Sequence, residues 1–213
     1  MNLDLELYQS QLARWPTSGR HVLAQFDDES VIVYQAYRAE IGNFASSNGY
    51  FGGEFSLSRM SWIKTNFLWM MFRSEWGTKS SQEVILAVRI QRSAFDLILK
   101  SAIHSTFVPQ VYSDRKAWQS AGKRSDVRLQ FDPDHNPHGQ KVERRAIQLG
   151  LRGEILKRYA KEWIIEIEDI SAFVLEQREN VRGRCENLLL PRESEYPIED
   201  EALRSHLGIA DSL

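Results

Sequence analysis

The sequence predicts an α+β fold in a single domain, and three observations carry that prediction. β-branched and aromatic runs, led by Val31-Ile32-Val33-Tyr34-Gln35-Ala36-Tyr37, mark strands. Helical segments close on glycine, as at Asn48-Gly49. Strands and helices are mixed without the strict alternation of a doubly wound sheet. A length of 213 residues fits one domain, or one domain with a tail.

In order, residues 1–20 read as a short helix and a loose lead-in ending in Pro16-Thr17-Ser18-Gly19, so 1–21 is set apart from a domain over 22–175. The strand over Val31–Tyr37 follows the turn-like Asp27-Asp28. Arg38 to Ser47 is a helix with Gly49 in the C-cap role, Gly52-Gly53 a turn, and Phe55-Ser56-Leu57 a short strand. Thr65 or Asn66 caps a helix that runs to about Trp76 and stops at Gly77. Glu83 to Gln91 is a strand, and Ser93 to Ser101 a helix burying Phe95, Ile98 and Leu99. Arg115 to Ala121 is a short helix. Val127 to Phe131 alternates as a half-buried strand, and Asp132 to Gly139 is a loop. Arg145 to Leu151 is a strand, Gly153 to Lys161 a helix and Trp163 to Ile170 a strand. From Glu176 the chain turns polar, so 176–213 reads as an acidic, partly ordered C-terminal extension.

Charge is unevenly spread. The net charge is −2, but residues 154–213 carry 14 acids against 8 bases. Within 59–100, seven bases (Arg59, Lys64, Arg73, Lys79, Arg89, Arg92, Lys100) face three acids. A positive surface there would suit phosphates or nucleic acid; ordinary solvated charge is the bland account. The longest wholly apolar run, Phe67 to Phe72, is six residues where a membrane span needs about 20. The acidic N-terminus lacks the regions of a signal peptide, so a cytoplasmic protein is expected.

The segment from Arg59 to Trp76 is the most informative. Trp62, Trp69 and Trp76, half of the protein's six tryptophans, stand seven apart. On a helix that spacing returns to nearly one face, so Trp69, Arg73 and Trp76 share a stripe. Phe67, Leu68, Met70, Met71 and Phe72 cover the rest, which predicts a buried helix. An arginine there must find an anion or a ring face. Arg73 either stacks on Trp69 or pairs with an internal acid, or it reaches with Lys64 into a cleft for a phosphate or carboxylate. Trp62, beside Lys64, is the best ligand-stacking candidate of the three.

Several chemistries are excluded. No P-loop, GxGxxG, GxSxG or HExxH motif occurs. The single cysteine, Cys185, permits no internal disulfide and no cysteine-cluster zinc site, and no obvious histidine or aspartate pairs with it. Asp132-Pro133-Asp134-His135-Asn136-Pro137-His138 has metal-binding composition, but its prolines and turn residues argue for an exposed loop, and no metal is expected.

Val33–Tyr37, the Arg59–Trp76 block with Thr78-Lys79, Gln82-Glu83, Leu86-Ala87, Gln130–Pro133 and Arg145–Leu151 together resemble the uncharacterised family catalogued as domain of unknown function 4291. The resemblance covers roughly residues 22–190. Thr65-Asn66 stands where that family usually has Pro-Ser, and Phe131 where it usually has Trp. The family name implies no activity.

The order of elements also resembles, more distantly, the split-sheet fold of ADP-ribosyltransferases and NAD-using RNA 2′-phosphotransferases. That resemblance implies a split antiparallel or mixed sheet with packed helices, NAD as cofactor, and a basic, aromatic nucleotide-binding cleft. It implies that Gln35 or Tyr37 holds the nicotinamide amide or the adenosine ribose, and that Trp62 or Tyr37 stacks on the ring. Lys64 and Arg73 would neutralise the pyrophosphate, with Arg59 a further cofactor-binding candidate. Gln148 or Glu166 would hydrogen-bond the ribose 2′-hydroxyl, as catalytic candidates. Gln148 shares its strand face with Ala146 and Gly150, small residues that leave a groove or simply room for a satisfied amide. Glu166 alternates with Ile165 and Ile167, as a solvent-facing strand also would. The alternative function is a non-catalytic RNA-binding module using the basic 59–100 surface.

Overall fold

The computed structural model describes residues 3–209. Of the N-terminal lead-in and the C-terminal extension, residues 1–2 and 210–213 lie outside the described residues. The chain opens with β1 (Leu5–Leu7), α1 (Tyr8–Leu12), β2 (Gly19–Arg20), β3 (Leu23–Ala24), β4 (Ser30–Tyr37) and α2 (Ala39–Asn48). Then come β5 (Ser61–Lys64), α3 (Phe67–Ser74), β6 (Val84–Gln91), α4 (Arg92–Lys100), β7 (Ala102–His104) and α5 (Arg115–Arg124). The long strands β8 (Val127–His135) and β9 (Lys141–Leu151) lead to α6 (Gly153–Lys161), β10 (Ile164–Asp169) and α7 (Ser171–Asn180). β11 (Leu189–Pro191), β12 (Ser194–Glu195) and α8 (Glu201–Leu207) follow.

The expected α+β class with a mixed sheet is what the chain adopts. The main sheet has eight strands, ordered β10-β6-β4-β5-β9-β8-β7, with β2 pairing on β9. Its ladders are antiparallel except β7 with β8 and β2 with β9. Both faces are covered, so the central strands are apolar on both sides. Val31 and Val33 of β4, with Leu86, Val88 and Ile90 of β6, join one core with side chains of α2, α4 and α6. Ile32, Tyr34, Ile85 and Ala87 point the other way and pack with α3 and α7. This two-sided burial turns the alternation expected of a half-buried strand into a continuous apolar run.

The sheet is divided near its middle. β4 follows β6 residue by residue from Ser30↔Gln91 to Tyr37↔Val84, but it meets β5 only at Tyr34↔Lys64. Beyond that pair the gap is closed by side chains on the α2 and α6 face. Gln35 Nε2 donates to Tyr37 Oη at 2.7 Å and Ser61 Oγ at 2.9 Å, and Tyr159 Oη donates to Gln35 Oε1 at 2.7 Å.

Several elements differ from the sequence expectation. Phe55-Ser56-Leu57 is not a strand: Phe55 turns into the core against Phe51, their ring centroids 4.7 Å apart. Ser61–Lys64 is a strand, stabilised by pairing with β9 rather than by local propensity. α3 stops at Ser74, because Glu75, Trp76 and Gly77 all have positive φ (54°, 56° and 74°). Trp76 therefore leaves the Trp69 stripe. Asp132–His135 continue β8 into a hairpin whose turn is closed by Asn136 N donating to Gln140 O at 2.8 Å.

The C-terminal segment is part of the core, a correction to its reading as a partly ordered extension. β11 pairs with β1 and β12 with β3. Leu188, Leu190, Tyr196, Ile198 and Leu207 are buried. Charged residues on its exposed positions conceal this in the sequence. The lead-in likewise closes against that segment: Gln11 Oε1 accepts from Glu193 N at 2.8 Å, and Trp15 Nε1 donates to Glu193 O at 3.0 Å.

Candidate functional site

Register across β5, β9 and β8 builds a polar floor. Lys64 lies opposite Gln148, and Gln148 opposite Gln130. Directly paired residues share a sheet face, so these three side chains form a row. Two residues along each strand the next row is Trp62, Gly150 and Arg128. A Cβ on Gly150 would stand 2.6 Å from Met60 Sδ and 3.0 Å from the Trp62 ring, so glycine there lets the indole lie across the sheet. The groove foreseen above Gly150 is thus filled by Trp62. α3 closes the other side of the row.

The result is an open cleft of about 380 Å³ lined by Trp62, Lys64, Trp69, Phe72, Arg73, Gln130, Asp132 and Gln148. Gln148 Nε2 donates to Gln130 Oε1 at 3.0 Å and to Asp132 Oδ2. Lys64 is only 7% exposed. Burial lowers its pKa to about 8; Arg73 lowers it further in the same sense, and Asp132 opposes the shift. An ammonium held this way gains from any anion that enters. Arg73, by contrast, is exposed at the rim, so neither internal partner expected for it is needed.

Four sequence candidates therefore meet in one cleft: Trp62, Lys64, Arg73 and Gln148. The others do not. Gln35 is 2% exposed, bonded at both ends of its amide, and one residue out of phase with Tyr34, so it faces the opposite side of the sheet from Lys64. Tyr37 shares that face and packs edge-on against Phe51 and Phe55. Burial pushes its hydroxyl pKa well above the usual value. Arg59 sits in the exposed loop before β5 and does not line the cleft. Glu166, on the edge strand β10, is separated from Gln148 by four strand spacings, roughly 19 Å. The basic 59–100 stretch does not form one surface either. Arg89 pairs with Asp27 at 3.1 Å and Arg92 with Asp28 at 3.7 Å, away from Arg73 and Lys79.

Sequence reasoning missed Trp69, Phe72, Gln130 and Asp132 as lining residues. Gln130 and Asp132 carried a usable signal, since they alternate on the strand that pairs with Gln148. The supposed loop hid it. That loop also buries His135, 2% exposed, with its ring stacked on Phe72 and 5.4 Å from the Trp69 ring. Its neighbour Asp134 pairs with Arg144 at 2.5 Å. No group of three or more His, Cys, Asp or Glu placed to hold a metal occurs among the described residues. Cys185 is buried, with Sγ 3.7 Å from His138 Nε2, a neighbour the sequence did not reveal. Burial raises its thiol pKa, which disfavours the thiolate. No helix among the described residues is long and apolar enough to cross a membrane.

Fold and site define an α+β protein with a cationic, aromatic cleft on one face of a divided mixed sheet. The family profile described as "Domain of unknown function (DUF4291)" matches residues 21–196. The chain belongs to that family. A comparison with curated proteins found no match.

Proposed function

We propose that the cleft binds a nucleotide through its phosphates and that the protein is a transferase with NAD as donor, of the ADP-ribosyl or RNA 2′-phosphate transfer class. The observation that carries the reading is Lys64: a nearly buried ammonium beside Arg73, with Trp62 and Trp69 as ring surfaces in the same cleft. The divided sheet is in keeping with the split-sheet resemblance. A cytoplasmic location goes with this reading.

In ADP-ribosyl transfer the nicotinamide–ribose bond breaks and its electron pair leaves with the ring nitrogen. The acceptor's nucleophile takes the ribose carbon and gives up a proton. Lys64 and Arg73 hold the diphosphate, and Trp62 offers its face to the base. Asp132 replaces Glu166 in the carboxylate role: it is the carboxylate that lines the cleft, and Gln148 orients it. A fixed carboxylate beside the ribose stabilises positive charge as the leaving group departs. Lys64 stays an ammonium while it holds the diphosphate, since a neighbouring anion favours the charged form, so the acceptor's proton passes to water in the open cleft.

The test is calorimetric titration with NAD and with ADP-ribose. Micromolar binding, weakened tenfold or more in folded Lys64→Met and Arg73→Ala variants, is the expected result. Unchanged affinity in both variants would remove the reading.

A further inference from the structure

Phe72 and Arg73 line a second cavity as well. It is about 710 Å³ and lies between the C-terminal end of α3, the β8–β9 turn and the end of α7. Its size falls in the range of small-molecule pockets. Its apolar surface comes from Phe72, Trp76, Pro137 and Val181. The Trp76 indole is held there by Nε1 donating to Pro137 O at 3.2 Å, and the left-handed backbone at Glu75 and Trp76 aims it away from the helix stripe. Arg73, Lys79 and Arg178 stand around this surface with no ion pair among the described residues and outnumber the one lining carboxylate, Glu75, whereas Arg182 is paired with Glu179 at 2.7 Å. A fixed aromatic surface under unpaired cations is a site for a planar ring that carries phosphate.

We infer that this cavity holds the adenosine diphosphate end of a dinucleotide whose other end occupies the Trp62–Lys64 cleft, with Arg73 on the shared wall gripping the bridging phosphates. The inference rests on the nucleotide reading of that cleft. The larger volume takes the adenosine, and the smaller cleft, with Asp132 and Gln148, takes the reacting ribose.

The probes are ADP, nicotinamide mononucleotide and NAD, titrated into wild type, the Lys79→Ala/Arg178→Ala variant and Lys64→Met. Both changed residues of the double variant are on the surface, and unchanged circular dichroism checks that it folds. The double variant should weaken ADP and NAD tenfold or more and leave nicotinamide mononucleotide unchanged. Lys64→Met should weaken nicotinamide mononucleotide and NAD. If NAD binds and responds to Lys64→Met but not to the double variant, the cavity assignment falls and the cleft reading stands. If ADP binding depends on Lys79 and Arg178 while Lys64→Met changes nothing, the cleft reading falls and the cavity remains an adenine-nucleotide site of its own. If no probe binds at millimolar concentration, both fall.

Discussion

Lys64 carries two opposed consequences. Its pKa is about 8 in the folded protein against an ordinary 10.5. A shift of that size corresponds to roughly 3 kcal/mol of destabilisation wherever both folded and unfolded states are protonated, which is below pH 8. Lys64→Met should therefore raise stability at pH 7 by about 2–3 kcal/mol in urea denaturation, while losing anion affinity. Between pH 8 and 10.5 the unfolded state binds more protons than the folded one, so wild-type stability rises with pH and the gap to the variant closes. A gap that stays constant across that range would show that the ammonium is not the cause. Ligand affinity should be flat below pH 8 and fall above it, because the neutral amine no longer attracts phosphate. Calorimetry from pH 6.5 to 9.5 reads this directly, and affinity independent of pH would exclude Lys64 from the contact. Lys64, Trp62 and Arg73 were legible because unusual residue types cluster between Arg59 and Trp76, whereas Gln148 entered only through the split-sheet resemblance. It misplaced Gln35 and Tyr37 because strand phase depends on which side of β4 meets β5, and that single pairing is a tertiary fact.

At the scale of elements, α3 shows how a polar contact fixes a helix start. Asn66 Oδ1 accepts from Trp69 N at 2.7 Å, and its Nδ2 donates to Glu193 Oε2 at 3.0 Å. Burial pushes the Glu193 carboxyl well above its usual pKa, against the hydrogen bond from Phe67 N and the nearby Arg144. Asn66→Ala should cost about 1–2 kcal/mol. Asp caps isolated helices as well as Asn, yet Asn66→Asp should be worse than Ala here, since it sets a second carboxyl against Glu193. Equal stability of the Asp variant and wild type would mean that the Glu193 contact contributes nothing. The helix itself was legible from its apolar run and cap. Its early stop was not, because nothing local marks Glu75 and Trp76 for a left-handed turn. β5 was hidden for the reverse reason, a four-residue strand made by its partners just before the helix cap, with no run of strand formers to mark it.

For the whole molecule, the decisive contacts join distant parts of the chain. Truncation after Glu176 removes Leu188, Leu190, Glu193, Tyr196, Ile198 and Leu207 from the interior, and exposes Trp15 and Gln11 on the other side. The truncated protein should be insoluble or lack a cooperative thermal transition. A soluble, cooperatively folded product would show that the segment is an accessory. Composition suggested a tail because charged residues outnumber apolar ones there, and only their positions in space show which few are buried.

The ladder that joins Leu5 to Pro191 also has a consequence in time. During synthesis at about 5–20 residues per second, the first strand waits roughly 10–40 seconds for its partner to be made. Until then its neighbour Tyr8 and the Trp15 indole lack the residues that bury them, and a nascent chain halted before residue 188 should be cut by protease within its first 20 residues. The finished protein should resist the same cut. Resistance in the halted chain would mean that the opening segment finds shelter before its partner strand exists.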